Sequence, residues 1–389
     1  MLGQSFLPKI GGEELGLDLR ARQYVNEGHD VVVLVQHSSL LGTPGKLDVP
    51  YKLVRYRKAR SRHWAVPFLH RALLRLYREW PFDVIDCHKL YPTAVAALQA
   101  AKTCRSCLVI TLHDTWSVAP TAARVGLFSS LRTRLNEGAR RRACQALEEA
   151  DAVTAMNESM RKYLIGLCPR CVNHLHVIPN IVDVQRLAQP AGASGQMAQR
   201  YSCVKGRYLL FLGRLARIKR VDVLIEAFRI VARTNPDVLL IIAGDGSEMS
   251  NLQQQVRAAD LTNHIRFVGT VLDDEKTWLL QNALCLVLPS RFETFGVVVV
   301  ESFACGTPVL ASRVGGIAEL VQPGKNGMLV DVGDANALAR SLCDLLNDVD
   351  GLRRMRSQAR ETANGYSCAS VAGEFLALFE ELLRRRRAG

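Results

Sequence analysis

Short apolar runs alternate along this chain with longer amphipathic stretches. Val31–Val35, Val84–Cys87, Leu108–Leu112, Ala152–Ala155 and His176–Ile178 read as strands. Helical-period segments such as Leu15–Glu27 and Thr93–Lys102 fall between them. Tyr208–Leu212, Val238–Ala243, Ile265–Val268, Leu284–Leu288, Val309–Ala311 and Met328–Val330 repeat the rhythm. Strand and helix in strict alternation predict βαβ units and parallel sheets, hence an α/β fold. Between the two series, Asp183–Cys203 holds Gln189-Pro-Ala-Gly-Ala-Ser-Gly195, a composition suited to a flexible connection, with a hinge near Asn180–Asp183. A last amphipathic helix, about Ser367–Arg387, ends in four arginines.

A length of 389 residues predicts two domains, and 48% hydrophobic residues suffice for two cores. No apolar run reaches the roughly 18 residues of a membrane span. Met1–Ile10 lacks a basic region followed by an apolar one, so the expectation is a cytoplasmic protein. The formal charge is +13 and unevenly spread: residues 1–180 hold 25 basic against 15 acidic residues, residues 181–389 hold 25 against 22. Lys52–Arg78 contains nine basic residues and no acid. Within Val66–Trp80, Leu69, Ala72, Leu73, Leu76 and Trp80 share one helical face, with Arg71, Arg75 and Arg78 off it. Such a helix suits either the surface of an anionic membrane, giving a peripheral contact through Lys52–Trp80, or a core-facing position with a solvated basic side. No recognition motif accompanies the charge, so nucleic acid is not an expected partner.

Eleven cysteines, an odd number, without small-scaffold spacing, argue for reduced thiols. Two Cys-x-x-Cys pairs, Cys104/Cys107 and Cys168/Cys171, each precede a predicted strand. If both gather at the amino end of one sheet they form a candidate structural zinc site; otherwise they are free thiols.

The segment Leu288–Ala311 carries the clearest chemistry. Glu293 and Glu301 stand eight positions apart in apolar surroundings, and a lone buried charge is unfavourable without a partner. Glu293 falls in a loop after a strand; Glu301 falls in a helix that starts past Phe295-Gly296. Both can then face the carboxyl end of a parallel sheet, where open α/β sheets bind ligands, and both suit sugar or ribose hydroxyls. Arg214 and Lys219 follow the strand Tyr208–Leu212 and suit a diphosphate. Gly11 and Gly12 permit close backbone approach, with free amides if a helix begins near Glu13. His113 ends the strand Val109–Leu112 and precedes Asp114.

In order and spacing these features resemble retaining glycosyltransferases of family 4 (glycosyl transferases group 1). Glu293 and Glu301 match their Glu-x7-Glu signature, and Phe6–Glu13 is similar to their glycine loop. Gly28–Leu34, Thr111–Asp114, Ile178–Asp183, Gly213–Lys219, Ala243–Gly246, Gly315–Glu319 and Asn326-Gly327 complete the series. The resemblance implies a GT-B fold: two Rossmann-like, doubly wound parallel-sheet domains facing across a cleft. It divides the chain into an acceptor-side domain (1–183), a donor domain (184–366) and a helix (367–389) returning to the first domain. It implies a nucleotide-diphosphate sugar, UDP- or GDP-linked, as co-substrate and a glycan, lipid-linked or small-molecule acceptor, as in polysaccharide biosynthesis. Arg214 and Lys219 take the phosphates, Glu293 the sugar hydroxyls, Glu301 the ribose, and His113 the donor sugar near the reaction centre. Gly11, Gly12, Phe295, Gly296, Val297 and Val298 contribute to the donor site, and Val268 and Gly269 bracket the base. Asp348-Val-Asp350 lies between helix-like segments and reads as a solvated turn, so the expected transfer is metal-independent.

Two departures from the family pattern stand out. Arg220 replaces a usual glycine. Only Met1-Leu2 precede Gly3, where the family begins with a full central strand, so either the start lies upstream or the first strand is trimmed. The expectation is that the neighbours' ladder hydrogen bonds go unmet, which counts against activity. A nucleotide-sugar epimerase and a non-catalytic nucleotide-sugar binder are the alternatives to transfer.

Overall fold

A computed structural model describes residues 1–3, 6–7, 11–36, 47–56, 62–113, 129–192 and 207–388, with backbone alone for 62–64 and 129–136. Asp114, Pro8–Ile10 of the glycine loop, residues 57–61 of the basic stretch and the Ala193–Cys203 part of the connection lie outside the described residues.

The chain forms two compact units. One joins Met1–Ile181 to the C-terminal helix that begins at Cys368; the other is Val182–Ser367. In the first unit, β1 (Val32–Gln36) pairs in parallel with β2 (Lys52–Tyr56). A parallel four-stranded sheet follows in the order β3 (Val84–Cys87), β4 (Cys107–Leu112), β5 (Ala152–Ala155), β6 (Leu175–Val177). Every residue of β4 and β5 is buried, as strands covered on both faces require.

The ladder expected to be broken is intact around Met1–Gly3. Leu2 bridges Leu34 on one side and Cys87 on the other. Leu2 N donates to Asp86 O (2.7 Å) and Gly3 N to Leu34 O (3.0 Å); Leu34 N donates to Met1 O (2.9 Å) and His88 N to Leu2 O (2.9 Å). Three residues thus join β1–β2 to β3–β6. The strand Lys52–Tyr56 escaped the sequence reading because Lys52 and Arg55 break its apolar run, as is common on edge strands, and it sat inside the basic stretch.

The apolar face of the helix Arg62–Glu79 is used inside this unit. Val66, Leu69, Leu73 and Leu76 are buried, and of its large apolar side chains Phe68 stands out at 52% exposure. Of the two readings of this helix, the core-facing one describes its apolar side. The Lys52 ammonium lies 4.6 Å from the Trp80 ring centroid. The helices Gly12–Asn26 and Cys368–Ala388 close the other side of the sheet with Leu17, Ala21, Tyr24, Val371, Phe375, Leu378 and Leu382. Tyr24 meets Phe379 edge-on at 5.8 Å.

The second unit is a six-stranded parallel sheet in the order β12-β11-β10-β7-β8-β9. Its strands are β7 (Tyr208–Leu212), β8 (Leu239–Ala243), β9 (Ile265–Gly269), β10 (Cys285–Leu288), β11 (Val309–Ser312) and β12 (Gly327–Val330). Chain order reverses between β7 and β10, which makes this the doubly wound arrangement with its ligand-binding switch point at their carboxyl ends. Among the described residues no helix is long and apolar enough to cross a membrane. A cavity of about 420 Å³ in the first unit lies between the beginnings of β1 and β3, bounded by Met1, Leu2, Val32, Val84 and Phe379. None of the candidate site residues lines it.

Candidate functional site

In the second unit the loops after β7 and β10 bring the expected charges together. Lys219 Nζ contacts Glu293 Oε1, and Ser290 Oγ donates to the same oxygen at 3.2 Å. The two charged side chains are 23% and 14% exposed, so each offsets the other's desolvation. Arg291 N donates to Ile218 O (2.8 Å), tying the two loops through their backbone. The loop after β11 joins them: Gly316 N donates to Glu293 O at 3.3 Å. A Cβ at Gly315 would stand 2.0 Å from that same carbonyl oxygen, so only glycine fits this contact. Arg214 is exposed at the carboxyl end of β7. Its loop is tied to the loop after β8 by Leu215 N to Asp245 O (2.9 Å), and that loop in turn to the end of β9 by Gly244 N to Gly269 O (2.7 Å). Val268 and Gly269 end β9, which β8 separates from β7.

The helix Val297–Ala304 starts at Gly296, whose φ of 93° is a left-handed turn that favours glycine. Its first residues, Val297 and Val298, are half-buried and carry amides free of intrahelical partners. Glu301, one turn on, pairs with Lys276 Nζ at 2.5 Å; these side chains are 13% and 16% exposed. Phe295 is buried with its ring against Tyr366, centroids 6.0 Å apart, which narrows its expected donor contact to the backbone.

In the first unit Gly11 caps the helix Gly12–Asn26 with extended backbone, and Glu13 in its first turn pairs with Lys89 at 2.7 Å. His113, just past β4, is part of a buried polar cluster. Its Nε2 lies 2.9 Å from His88 Nδ1 and its Nδ1 lies 3.2 Å from Asn180 Oδ1. His88 Nε2 meets Asp86 Oδ2 at 3.1 Å, and Arg20 Nη2 meets His88 Nδ1 at 2.7 Å. Thr111 donates to Asp86 Oδ1 at 3.2 Å. Burial holds both imidazoles below their usual range, His88 at about 4 against the opposing pull of Asp86, and His113 well down with His88 and Arg20 adding to the effect. Burial alone would raise the Asp86 carboxyl, but His88 and the Arg20 guanidinium outweigh it, so the group stays ionised.

The cysteine pairs do not assemble. Among the described residues no three metal-ligating side chains form a metal-sized group. β5 stands between β4 and β6 and keeps the pairs apart. Cys107 Sγ accepts from Arg386 at 3.6 Å, whereas Cys168 Sγ points to Cys144 O and Glu148 Oε1, both at 3.6 Å. Burial pushes all four thiols up, Cys168 to about 12, as expected of inert thiols.

Residues 198–362 match the family described as Glycosyl transferases group 1, and residues 10–186 match Glycosyltransferase Family 4. The phosphatidyl-myo-inositol mannosyltransferase of Mycolicibacterium smegmatis is 30% identical over 364 residues, covering 91% of this chain and 86% of that protein. The chain belongs to the group 1, family 4 glycosyltransferases. An N-acetyl-alpha-D-glucosaminyl L-malate synthase of Bacillus anthracis is 25% identical over 400 aligned residues, 100% of this chain and 98% of that one. The structure of Anabaena HepE in complex with UDP superposes with a TM-score of 0.79 at 22% identity, over 98% of both chains, which places this glycosyltransferase in the GT-B fold.

Of the residues expected from the sequence, Arg214, Lys219, Glu293 and Glu301 all stand at carboxyl ends of one sheet or in the helix that follows. Not among those expected are Lys276 and Ser290, which contact the two glutamates, and Arg20, Asp86 and His88, which lie around His113. The readable signal for the last group is Asp86-Cys-His88, polar residues at the end of an apolar strand.

Proposed function

We propose that this glycosyltransferase moves a sugar from a UDP- or GDP-linked donor to a hydroxyl of a glycan, lipid-linked or small-molecule acceptor. In this reading transfer retains anomeric configuration and uses no metal. The observation that carries it is the Lys219–Glu293 pair at the switch point between β7 and β10, beside the free amides of Val297 and Val298. A cation, a carboxylate and a helix start within one set of loops suit a diphosphate joined to a polyhydroxyl ring.

Arg214, Lys219 and the amides of Val297 and Val298 take the charge that grows on the diphosphate as the sugar C1–O bond breaks. Glu293 receives sugar hydroxyls, with Lys219 beside it as counter-charge. Glu301, held through one oxygen by Lys276, offers the other to the ribose. Val268 and Gly269 flank the base. Gly11 and Gly12 supply amides to phosphate, and His113 marks the sugar's place in the first unit. The acceptor oxygen bonds to C1 on the face the phosphate leaves, and its proton passes to the departing phosphate oxygen. The basic N-terminal half, with Arg71 and Arg75 exposed, suits an acceptor held at an anionic membrane on the cytoplasmic face.

Incubation with labelled UDP-, GDP- and ADP-sugars and candidate acceptors tests the reading. Label on an acceptor with the donor's anomeric configuration, undiminished by chelator, supports it. An isomerised donor without acceptor product makes the chain an epimerase, and binding without turnover makes it a non-catalytic homologue.

A further inference from the structure

The cluster around His113 has a direction. An ionised carboxylate only accepts hydrogen bonds, so Asp86 must receive the Nε2 proton of His88. His88 Nδ1 is then bare. Its single in-plane lone pair accepts from His113 Nε2 at 2.9 Å, while Arg20 Nη2, 2.7 Å from Nδ1 and 2.9 Å from Nε2, packs against the ring. The two imidazole planes lie 8° from parallel with centroids 5.1 Å apart, as rings joined edge to edge in one plane would be. His113 is thereby left as the Nε2–H tautomer, and its Nδ1 accepts from the Asn180 amide once that group's nitrogen is turned toward it. Of the facing charged groups, Arg20 on the helix Gly12–Asn26, and for His113 also Lys89 after β3, act with burial to keep the rings neutral, and together they outweigh the opposing pull of Asp86 on β3.

We propose that His88 is a positioning residue of the transferase. Anchored by Asp86 and Arg20, it fixes the ring plane and tautomer of His113 at the carboxyl end of β4. This rests on the reading that His113 stands beside the transferred sugar. A histidine tied at both nitrogens is not a mobile base. Its value lies in holding the end of β4 in one place, and small displacements near a reacting centre reduce rates by up to about 10²-fold.

Two replacements separate positioning from simple core filling. Asn offers an amide oxygen where Nδ1 stands and keeps the contact to His113 but loses Asp86. Gln reaches Asp86 but loses His113. For folded variants matched by thermal midpoint, His88→Gln is expected to lower kcat by roughly 10-fold or more with KM for donor changed under about 3-fold, and His88→Asn to recover most of the rate. In a His113→Ala background neither replacement should lower kcat further. A smaller loss for Gln than for Asn, or additive losses, overturns the proposal. Nitrogen-15 histidine NMR of the unaltered protein needs no sugar at all. Neutral Nε2–H signals from both His88 and His113 at pH 7 support the proposal, and an Nδ1–H or averaged signal from His113 overturns it, whether or not the protein proves to be a transferase.

Discussion

At the scale of single residues, the candidate donor site is a set of charges that compensate one another. Lys219→Ala leaves Glu293 without its cation, and Glu293→Ala leaves Lys219 facing Ser290 and solvent. Each is expected to lower turnover by at least about 10²-fold, measured as initial rate on the donor identified by the panel. Near-wild-type rates in either folded variant would remove that residue from the site. Arg220 supports a different prediction. It caps the helix Val221–Thr234 with φ 51° and ψ 41°, the left-handed region that costs an L-residue roughly 1–2 kcal/mol. Its Asp222 partner, at 3.1 Å, is half exposed and returns little. Arg220→Gly is therefore expected to stabilise the protein by about 0.5–1 kcal/mol in chemical denaturation, after the flexibility glycine adds to the unfolded chain. A lower midpoint for the glycine variant would contradict this. The glutamates were legible in the sequence because carboxylates in an apolar run demand an explanation. Lys276 was not, because a lysine on an ordinary amphipathic helix says nothing about what it reaches across space.

At the scale of elements, loops position the site and glycines set the loops. At Gly315 a Cβ would collide with the Glu293 carbonyl at 2.0 Å, and φ is 41° besides. At Gly324 φ is 77° but nothing lies within 4 Å of the added atom. Gly315→Ala should therefore cost more than about 2 kcal/mol and depress turnover, whereas Gly324→Ala should cost only the roughly 1–2 kcal/mol of backbone strain and leave kcat alone. Equal effects at the two sites would separate Gly315 from the positioning of Glu293. The strands of both units were legible from apolar runs to within about a residue or two. β2 was hidden by its lysine and arginine. Met1–Gly3 was hidden because a strand is normally recognised by length, and here a bridge on each side of Leu2 does the joining.

At the scale of the whole molecule, acid should act on the first unit. His88 titrates near 6.5 when unfolded but only at about 4 in the fold. Between those values the unfolded chain binds the proton that the folded one refuses. Stability should therefore be complete above about pH 6.5 and decline as pH falls toward 4. Thermal midpoints at pH 7.5 and pH 5 test this: the midpoint should drop, and the drop should shrink in His88→Asn. A midpoint that holds or rises at pH 5 would show that the imidazoles are not buried neutral. The two-domain α/β plan was legible from length and rhythm alone, but which distant residues complete each core was not.

The helix Cys368–Ala388 has a consequence for biosynthesis. It supplies Val371, Ala372, Phe375, Leu378 and Leu382 to a core whose other members are made first, from Phe6 to Ile181. On a ribosome the leading half of the chain therefore emerges with one wall of its interior still untranslated, while Val182–Ser367 is complete as soon as it clears the exit tunnel. The portion synthesised earliest is the last to close.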